Sequence, residues 1–382
     1  MNRAIVHLAI LLVILIIPTL ACAQKVEKKT FFSHLGFTPL DDTVVHKKSG
    51  LLFAPIAFYT PDTRWALGGV ALSAFHLKDK NDSTAMTRMS YVKFIGYYTL
   101  NNQFDTWTAW NIFTPSEKYL FKGELRFRRY PDRFYGIGNN TLTANEEKYS
   151  YDLLKFKTLF LKKVRERFFL GFDYQFEKEY NFKLDPDGQL QNESIPGYNG
   201  GIGSALGLVS VYDTRDNVLN AYKGVFAEFS SYFNSSYLGS TFSFTELNGT
   251  YQQYWQFRPK HILAWETRAR VTLGETPFLD MSTLGGDDIL RGYPQNRFRD
   301  NHFAATQVEY RFPLFWRFRM TTFVGVGDIF SDSQDLSWQR LKYSVGTGLR
   351  FIVNSSERVN LRLDYGYGTQ GGYFYFGVSE AF

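Results

Sequence analysis

Arg291 is the residue whose type and setting most directly suggest chemistry in this sequence of 382 residues. A guanidinium presents several N–H donors in a fixed fork, so a carboxylate would orient it and offset its desolvation. It stands in a long polar stretch, residues 275–303. A loop of that length is either functional or disordered. Gly292 beside it permits a turn that a side chain would obstruct. The alternative is an ordinary solvated loop arginine. Other groupings offer less. Asp287-Asp288 could ligate Mg2+, and the 6 histidines with scattered glutamates could mimic a hydrolase site. No H-E-x-x-H, G-x-S-x-G or P-loop pattern accompanies them, and nothing sets a nucleophile beside a base. Catalysis, a metal and a cofactor are therefore not expected.

The elements that would position such a loop alternate with period two. Val359, Leu361, Leu363, Tyr365 and Tyr367 interleave with Asn360, Arg362, Asp364 and Gly366. Leu263, Trp265, Thr267, Ala269 and Val271 interleave with Ala264, Glu266, Arg268 and Arg270. The same holds for Phe121, Leu125 and Phe127 against Lys122, Glu124, Arg126 and Arg128, and for Phe168–Phe176. In strands these sets point to opposite faces. Along 304–312, Ala304, Thr306, Val308, Tyr310 and Phe312 form one face and Gln307, Glu309 and Arg311 the other, which turns Glu309 inward. Charges such as Glu124, Arg126, Glu266, Arg268 and Arg270 then read as a satisfied electrostatic lining. A soluble sandwich also alternates, but its polar face looks at bulk water. The length and aromatic content of the apolar faces favour a membrane barrel.

Counting back from Phe382 places strands near 372–382, 358–366, 341–353, 317–327, 304–312, 262–274, 240–257, 224–234, 203–213, 168–177, 151–162, 118–130, 104–113, 86–99, 65–77 and 51–60. This predicts an all-β transmembrane antiparallel barrel of about 16 strands, an even number as bacterial barrels prefer. Residues 165–167, 258–260 and 354–356 read as tight periplasmic turns. Residues 131–150, 178–202 and 275–303 are polar and rich in Gly, Asn and Asp, as extracellular loops should be. The last is expected to fold into the lumen.

Export is expected from the start of the chain. Arg3, the apolar run Ala4–Ile17 and the small residues Ala21-Cys22-Ala23 resemble a signal peptide over 1–23. Thr19-Leu20-Ala21 fits a lipobox poorly. Residues 24–50 are expected to form a short periplasmic arm, too small for a separate domain, with the barrel over 51–382. Cys22 is the single cysteine, so disulfides contribute nothing to a mature chain cleaved after Ala23. Mean hydropathy is −0.26. Yet the chain carries 37 Phe, 25 Tyr and 7 Trp against 12 Pro, as interfacial aromatic girdles require. The net charge of +6 is modest and compatible with acidic lipid or lipopolysaccharide. No basic cluster with stacking aromatics points to nucleic acid. Phe374, Phe376, Val378 and Phe382 are expected on one lipid-facing side of the last strand, interrupted by Glu380 near the periplasmic rim.

Leu284-Gly-Gly-Asp-Asp-Ile-Leu-Arg-Gly-Tyr293 resembles the loop motif of the BamA/TamA-type bacterial surface-antigen superfamily, in which a glycine pair precedes a (Val/Leu)-Arg-Gly-(Phe/Tyr) tetrad, here Leu290, Arg291, Gly292 and Tyr293. Further similarities follow in the family's order: Glu309-Tyr-Arg-Phe-Pro-Leu314, Phe323-Val-Gly-Val-Gly-Asp328, Gly346-Thr-Gly-Leu-Arg350 and Leu361-Arg-Leu-Asp364. Asp213-Thr-Arg-Asp216 with Gly224 resembles a periplasmic turn of the same family. The resemblance implies that Arg291 meets Glu309 and an aspartate of a Phe-x-Asp-x-Gly motif on the next strand. Gly325 occupies that aspartate position, so the second carboxylate is either missing or replaced by Asp328. A terminal aromatic strand resembles the signal that barrel-assembly machinery reads.

The resemblance implies an outer-membrane barrel that assists insertion or export of other outer-membrane or secreted proteins. Its relatives have a weak seam between first and last strands, an edge suited to strand addition by a client. Most recruit clients through periplasmic repeat domains, which 24–50 cannot hold, so a separate periplasmic or membrane partner subunit is expected. A passive pore or structural barrel is the alternative from a different class.

Overall fold

The computed structural model describes residues 50–60, 64–77, 87–88, 90–192, 195–332, 338–355 and 358–382. The expected signal peptide and nearly all of the expected arm lie outside them. The described chain is almost wholly strand. In order these are β1 (Gly50–Thr60), β2 (Arg64–Phe75), β3 (Ser90–Thr99), β4 (Phe104–Phe113), β5 (Tyr119–Phe134), β6 (Glu147–Arg165), β7 (Phe168–Lys183), β8 (Gly201–Asp213), β9 (Gly224–Asn234), β10 (Phe244–Arg258) and β11 (His261–Gly274). There follow the short β12 (Ser282–Leu284) and β13 (Phe298–Asp300), then β14 (His302–Phe315), β15 (Phe318–Phe330), β16 (Lys342–Asn354), β17 (Val359–Gly368) and β18 (Gly371–Val378). All but β12 and β13 join one 16-stranded sheet in which each strand pairs with its sequence neighbour, β11 passing directly to β14. Every ladder is antiparallel, as hairpin connections require. β12 and β13 pair with each other inside the connection between β11 and β14.

Alternation sets the two faces. On β15, Thr321 and Phe323 are buried while Val324 is exposed; on β8, Val209 and Val211 are buried while Leu206 and Leu208 are exposed. The exposed set is the lipid face of a transmembrane barrel, and the buried set is the lumen. The sheet is curved tightly enough for the connection between β11 and β14 to touch both walls. Asn296 Nδ2 donates to Asp132 Oδ2 of β5 (3.2 Å), whereas the Tyr293 hydroxyl donates to the Tyr343 carbonyl of β16 (3.0 Å).

Hairpin turns on one side are short: 166–167, 259–260 and 316–317, with Arg167, Lys260 and Trp316 at positive φ. The strands exceed the sequence reading on the other side. β5 reaches Phe134, β6 starts at Glu147 and β7 continues to Lys183, so the loops shrink to 135–146 and 184–200. Polar residues there hold the ladder register up to Phe134↔Glu147. Beyond the lipid a strand needs no apolar outer face, so composition alone reads it as loop. At the last strand the difference is reversed: β18 stops at Val378, and Ser379 turns away at φ +69.

Candidate functional site: an arginine anchor in the lumen

The connection 275–301 enters the lumen on a small core of its own. Leu284, Ile289, Leu290, Tyr293 and Phe298 pack with Ala305 of β14 and Ile329 of β15. Fully burying a Leu or Phe side chain contributes roughly 1.5–3 kcal/mol, so this cluster offsets part of the entropy lost in ordering the loop. Leu290 and Gly292 both adopt positive φ (+55° and +131°), which turns the chain sharply around Arg291. A Cβ on Gly292 would lie 2.7 Å from the Tyr367 carbonyl carbon and 2.8 Å from the Gly368 nitrogen, so glycine is required by space as well as by φ. Tyr375 of β18 clamps the turn: its hydroxyl accepts from the Gly292 N–H (2.8 Å) and donates to the Tyr293 carbonyl (2.7 Å).

This turn delivers Arg291, which has no solvent exposure, to two carboxylates on different strands. Nη2 pairs with Glu309 of β14, and Nη1 lies 2.6 Å from Asp364 Oδ2 of β17. The guanidinium carbon sits 3.7 Å from the centre of the Phe323 ring on β15. Nε makes no hydrogen bond, and the aromatic face supplies cation–π contact instead.

The pairing extends into a closed ring. Glu309 also accepts from Arg311 Nε (2.8 Å), Arg311 lies 3.9 Å from Glu380, Glu380 accepts from Arg350 Nε (2.7 Å), and Arg350 pairs with Asp364, which returns to Arg291. Arg291, Arg311 and Arg350 thus alternate with Glu309, Glu380 and Asp364, and every side chain is nearly or fully buried. Equal opposite charges offset the desolvation that would penalise any one alone. Asn220 and Asn360 side-chain amides donate to Glu380 as well. Burial pushes the Glu380 carboxyl up, but Arg350 and then Arg311 outweigh it and hold the group below the usual carboxylate range.

Several expected positions move. Gly325 leaves room that Leu290 fills: its Cβ position lies 3.5 Å from Leu290 Cδ1. Asp328 does not supply the missing carboxylate. It is fully buried three residues further along β15 and is not among the partners of Arg291, which are Glu309, Asp364 and Gln307. One of its oxygens accepts from the Ile329 N–H (2.8 Å) and the other has no partner. Asp364 takes the role. Asp287 and Asp288 do not converge: Asp287 pairs with Arg362 (2.9 Å) and Asp288 with Arg268 (2.7 Å). Among the other lining charges, Arg126 meets Asp105 at 2.5 Å, Arg268 meets Glu266 at 2.8 Å and Arg270 meets Glu246 at 2.5 Å.

The end of the chain is also corrected. Phe374 and Phe376 face lipid, 71% and 42% exposed. Phe382 does not join them. After Ser379 the chain turns into the lumen, where the Arg311 guanidinium lies 5.1 Å from the Phe382 ring and donates to its carbonyl (2.9 Å). Tyr254 packs alongside, with ring centres 6.2 Å apart. Glu380, expected at the lipid rim, is drawn inward by two arginines.

Arg350 and Asp364 stood within the motifs noted in the sequence, and alternation set Asp364 on the polar face of its strand. The meeting of Asp364 with Arg291 was not visible there, because it depends on the loop folding in against the neighbouring strands β14–β17.

Known proteins place this architecture. BamA from Haemophilus ducreyi lacking POTRA domains 1–3 superposes with a TM-score of 0.55 at 13% identity, over 87% of this chain and 70% of that one. CdiB from Escherichia coli gives 0.58 at 12% identity, over 86% and 62%, and CdiB from Acinetobacter baumannii 0.53 at 11%, over 87% and 60%. The chain therefore spans about three fifths of the CdiB chains it resembles. No curated protein sequence matches it. The Omp85 superfamily domain matches residues 90–382, which contain the Arg291 loop, its carboxylate partners and all strands from β3 onward. The chain belongs to the Omp85 superfamily and is an outer-membrane β-barrel.

Proposed function

We propose that this barrel assists the insertion or export of other outer-membrane or secreted proteins. The observation that carries the reading is the seating of loop 275–301. An ordinary open pore has no need of a charged ring that ties one loop to β14, β16, β17 and the residues after β18. The ring links the loop to the last strands of the sheet, so loop position and the state of that edge are mechanically joined. β18 is short, with 8 residues, and contains Gly371, Gly372 and Gly377, which weaken a strand and leave few side chains to pack. Such an edge suits temporary pairing with a client strand. A separate periplasmic or membrane subunit would bring the client.

Controlled depletion in the native host tests this. Loss of the chain should lower the abundance of a defined set of other outer-membrane or secreted proteins before growth slows. Unchanged levels, together with steady ion conductance by the purified barrel in planar bilayers, would instead indicate a passive pore.

A further inference from the structure

The outer face of the barrel changes character at the extracellular ends of β5, β6 and β7. Lower down it is apolar: Phe121 and Leu125 on β5, Phe160 on β6, and Leu170 and Phe172 on β7 are exposed to lipid. Residues sharing that face by alternation, higher along the same strands, are Arg129 and Arg133 on β5, Lys148 on β6 and Lys178 on β7. A bulge follows, with Asn181 at φ +56, and it returns Lys183 to the same outer side opposite Ser150. These five cations share the strand faces with one carboxylate, Asp152. Glu146, just beyond the strand, pairs with Arg133 at 3.5 Å. Elsewhere the lipid face stays apolar almost to the strand ends, at Phe233, Leu273, Tyr343 and Tyr367, all exposed.

The patch is built rather than scattered. Asp152 is 2% exposed and accepts from Arg129 Nε (2.6 Å), Arg129 Nη2 (2.8 Å) and Asn181 Nδ2 (2.8 Å). The Arg129 side chain is held rigidly yet stays 57% exposed, and its Nη1 has no hydrogen-bond partner among the described residues. β4 begins only at Phe104, opposite Arg129, so β5 rises past it and leaves a step above the 100–103 turn. A cavity of about 760 Å³ occupies this step, lined by Asn102, Arg129, Ser150, Asp152, Asn181 and Lys183 among others.

We propose that this step binds a phosphorylated glycolipid headgroup of the outer leaflet. An oriented guanidinium and exposed lysines suit phosphate, and amide side chains suit sugar hydroxyls. The apolar faces directly below suit the acyl chains of the same molecule. A soluble anionic partner would gain nothing from that continuity, and an inner-leaflet phospholipid would lie at the opposite end of the strands.

The test is binding of bisphosphorylated lipid A to the purified full chain in neutral detergent, followed by native mass spectrometry. Fully dephosphorylated lipid A and phosphatidylglycerol serve as comparison ligands. The variant Lys148→Gln/Lys178→Gln/Lys183→Gln leaves the Arg129–Asp152 pair intact and should fold. It should bind bisphosphorylated lipid A at least about tenfold more weakly, since three cations that attract anionic lipid are removed. Arg129→Gln should weaken it further. Lys260→Gln, at a periplasmic turn, should leave binding unchanged. Equal affinity of wild type and the lysine variant would overturn the proposal. So would equal binding of dephosphorylated lipid A, or binding of phosphatidylglycerol as strong as that of lipid A.

Discussion

The Arg291 guanidinium meets the Asp364 carboxylate at 2.6 Å across a sequence separation of 73 residues, and neither side chain is exposed. One contact thus fixes the lumen loop to β17, while the contact with Glu309 fixes it to β14. A guanidinium shared between two carboxylates on separate strands resists displacement in either direction.

Breaking the ring at one point should be costly and non-additive. Arg291→Ala or Glu309→Gln should each destabilise the seated loop by about 3–5 kcal/mol, the usual cost of leaving a buried partner unpaired. The double variant should lose clearly less than the sum, because groups in one contact do not act independently. Urea unfolding in detergent, followed by a fluorophore on the loop, reads both quantities. Strict additivity would show that the two side chains do not pair.

Backbone space makes a separate prediction. Gly292→Ala and Gly366→Ala should each unseat the loop without removing a charge, since a Cβ on Gly366 would come within 2.5 Å of the Arg291 carbonyl oxygen. Proteolysis of the reconstituted barrel should cut within 275–301 faster in both variants. A loop as resistant as in the wild type would mean that the approach is not tight.

Much of this was legible in the residues. Alternation turned Glu309, Arg311, Arg362 and Asp364 inward before any contact was known, and the tetrad around Arg291 marked the loop. What stayed hidden was long-range. Asp364 is the second carboxylate because β17 lies three strands from β14 on the same wall, within reach of the folded-in loop, which no local pattern encodes. Glu380 and Phe382 misled for a local reason: continuing the alternation past Val378 puts them at the lipid rim, whereas the positive φ of Ser379 ends the strand first. The extracellular extensions of β5–β7 were hidden by polar composition.

Loop 275–301 should be tighter in mild acid. Burial, with Glu177 next in importance, pushes the Asp280 carboxyl up to about 7, only partly opposed by Arg270. The folded loop therefore binds a proton that the unfolded loop releases near pH 4. Stability contributed by that proton is present at low pH and is lost as pH rises toward 7. Hydrogen exchange should show more protection of the loop at pH 5.5 than at pH 8, after correction for intrinsic rates. Asp280→Asn should remove the difference. A difference that survives the substitution would assign it to another group.

Topology gives an independent check. Leu142 (64% exposed) and Tyr237 (97% exposed) lie in loops at one end of the strands, expected to be extracellular, and Glu166 in a turn at the other end. Leu142→Cys and Tyr237→Cys should react with a membrane-impermeant maleimide on intact cells. Glu166→Cys should react only after the outer membrane is permeabilised. The reverse pattern would invert the barrel.

The most direct measurement is complementation of depleted cells, read as the abundance of other outer-membrane proteins. Wild type should restore their levels. Arg291→Ala should be inserted and folded, as shown by heat-modifiable migration, yet fail to restore them, and Arg291→Lys should restore them poorly because an ammonium cannot span Glu309 and Asp364 as a planar fork does. Full restoration by a folded Arg291→Ala barrel would contradict the account.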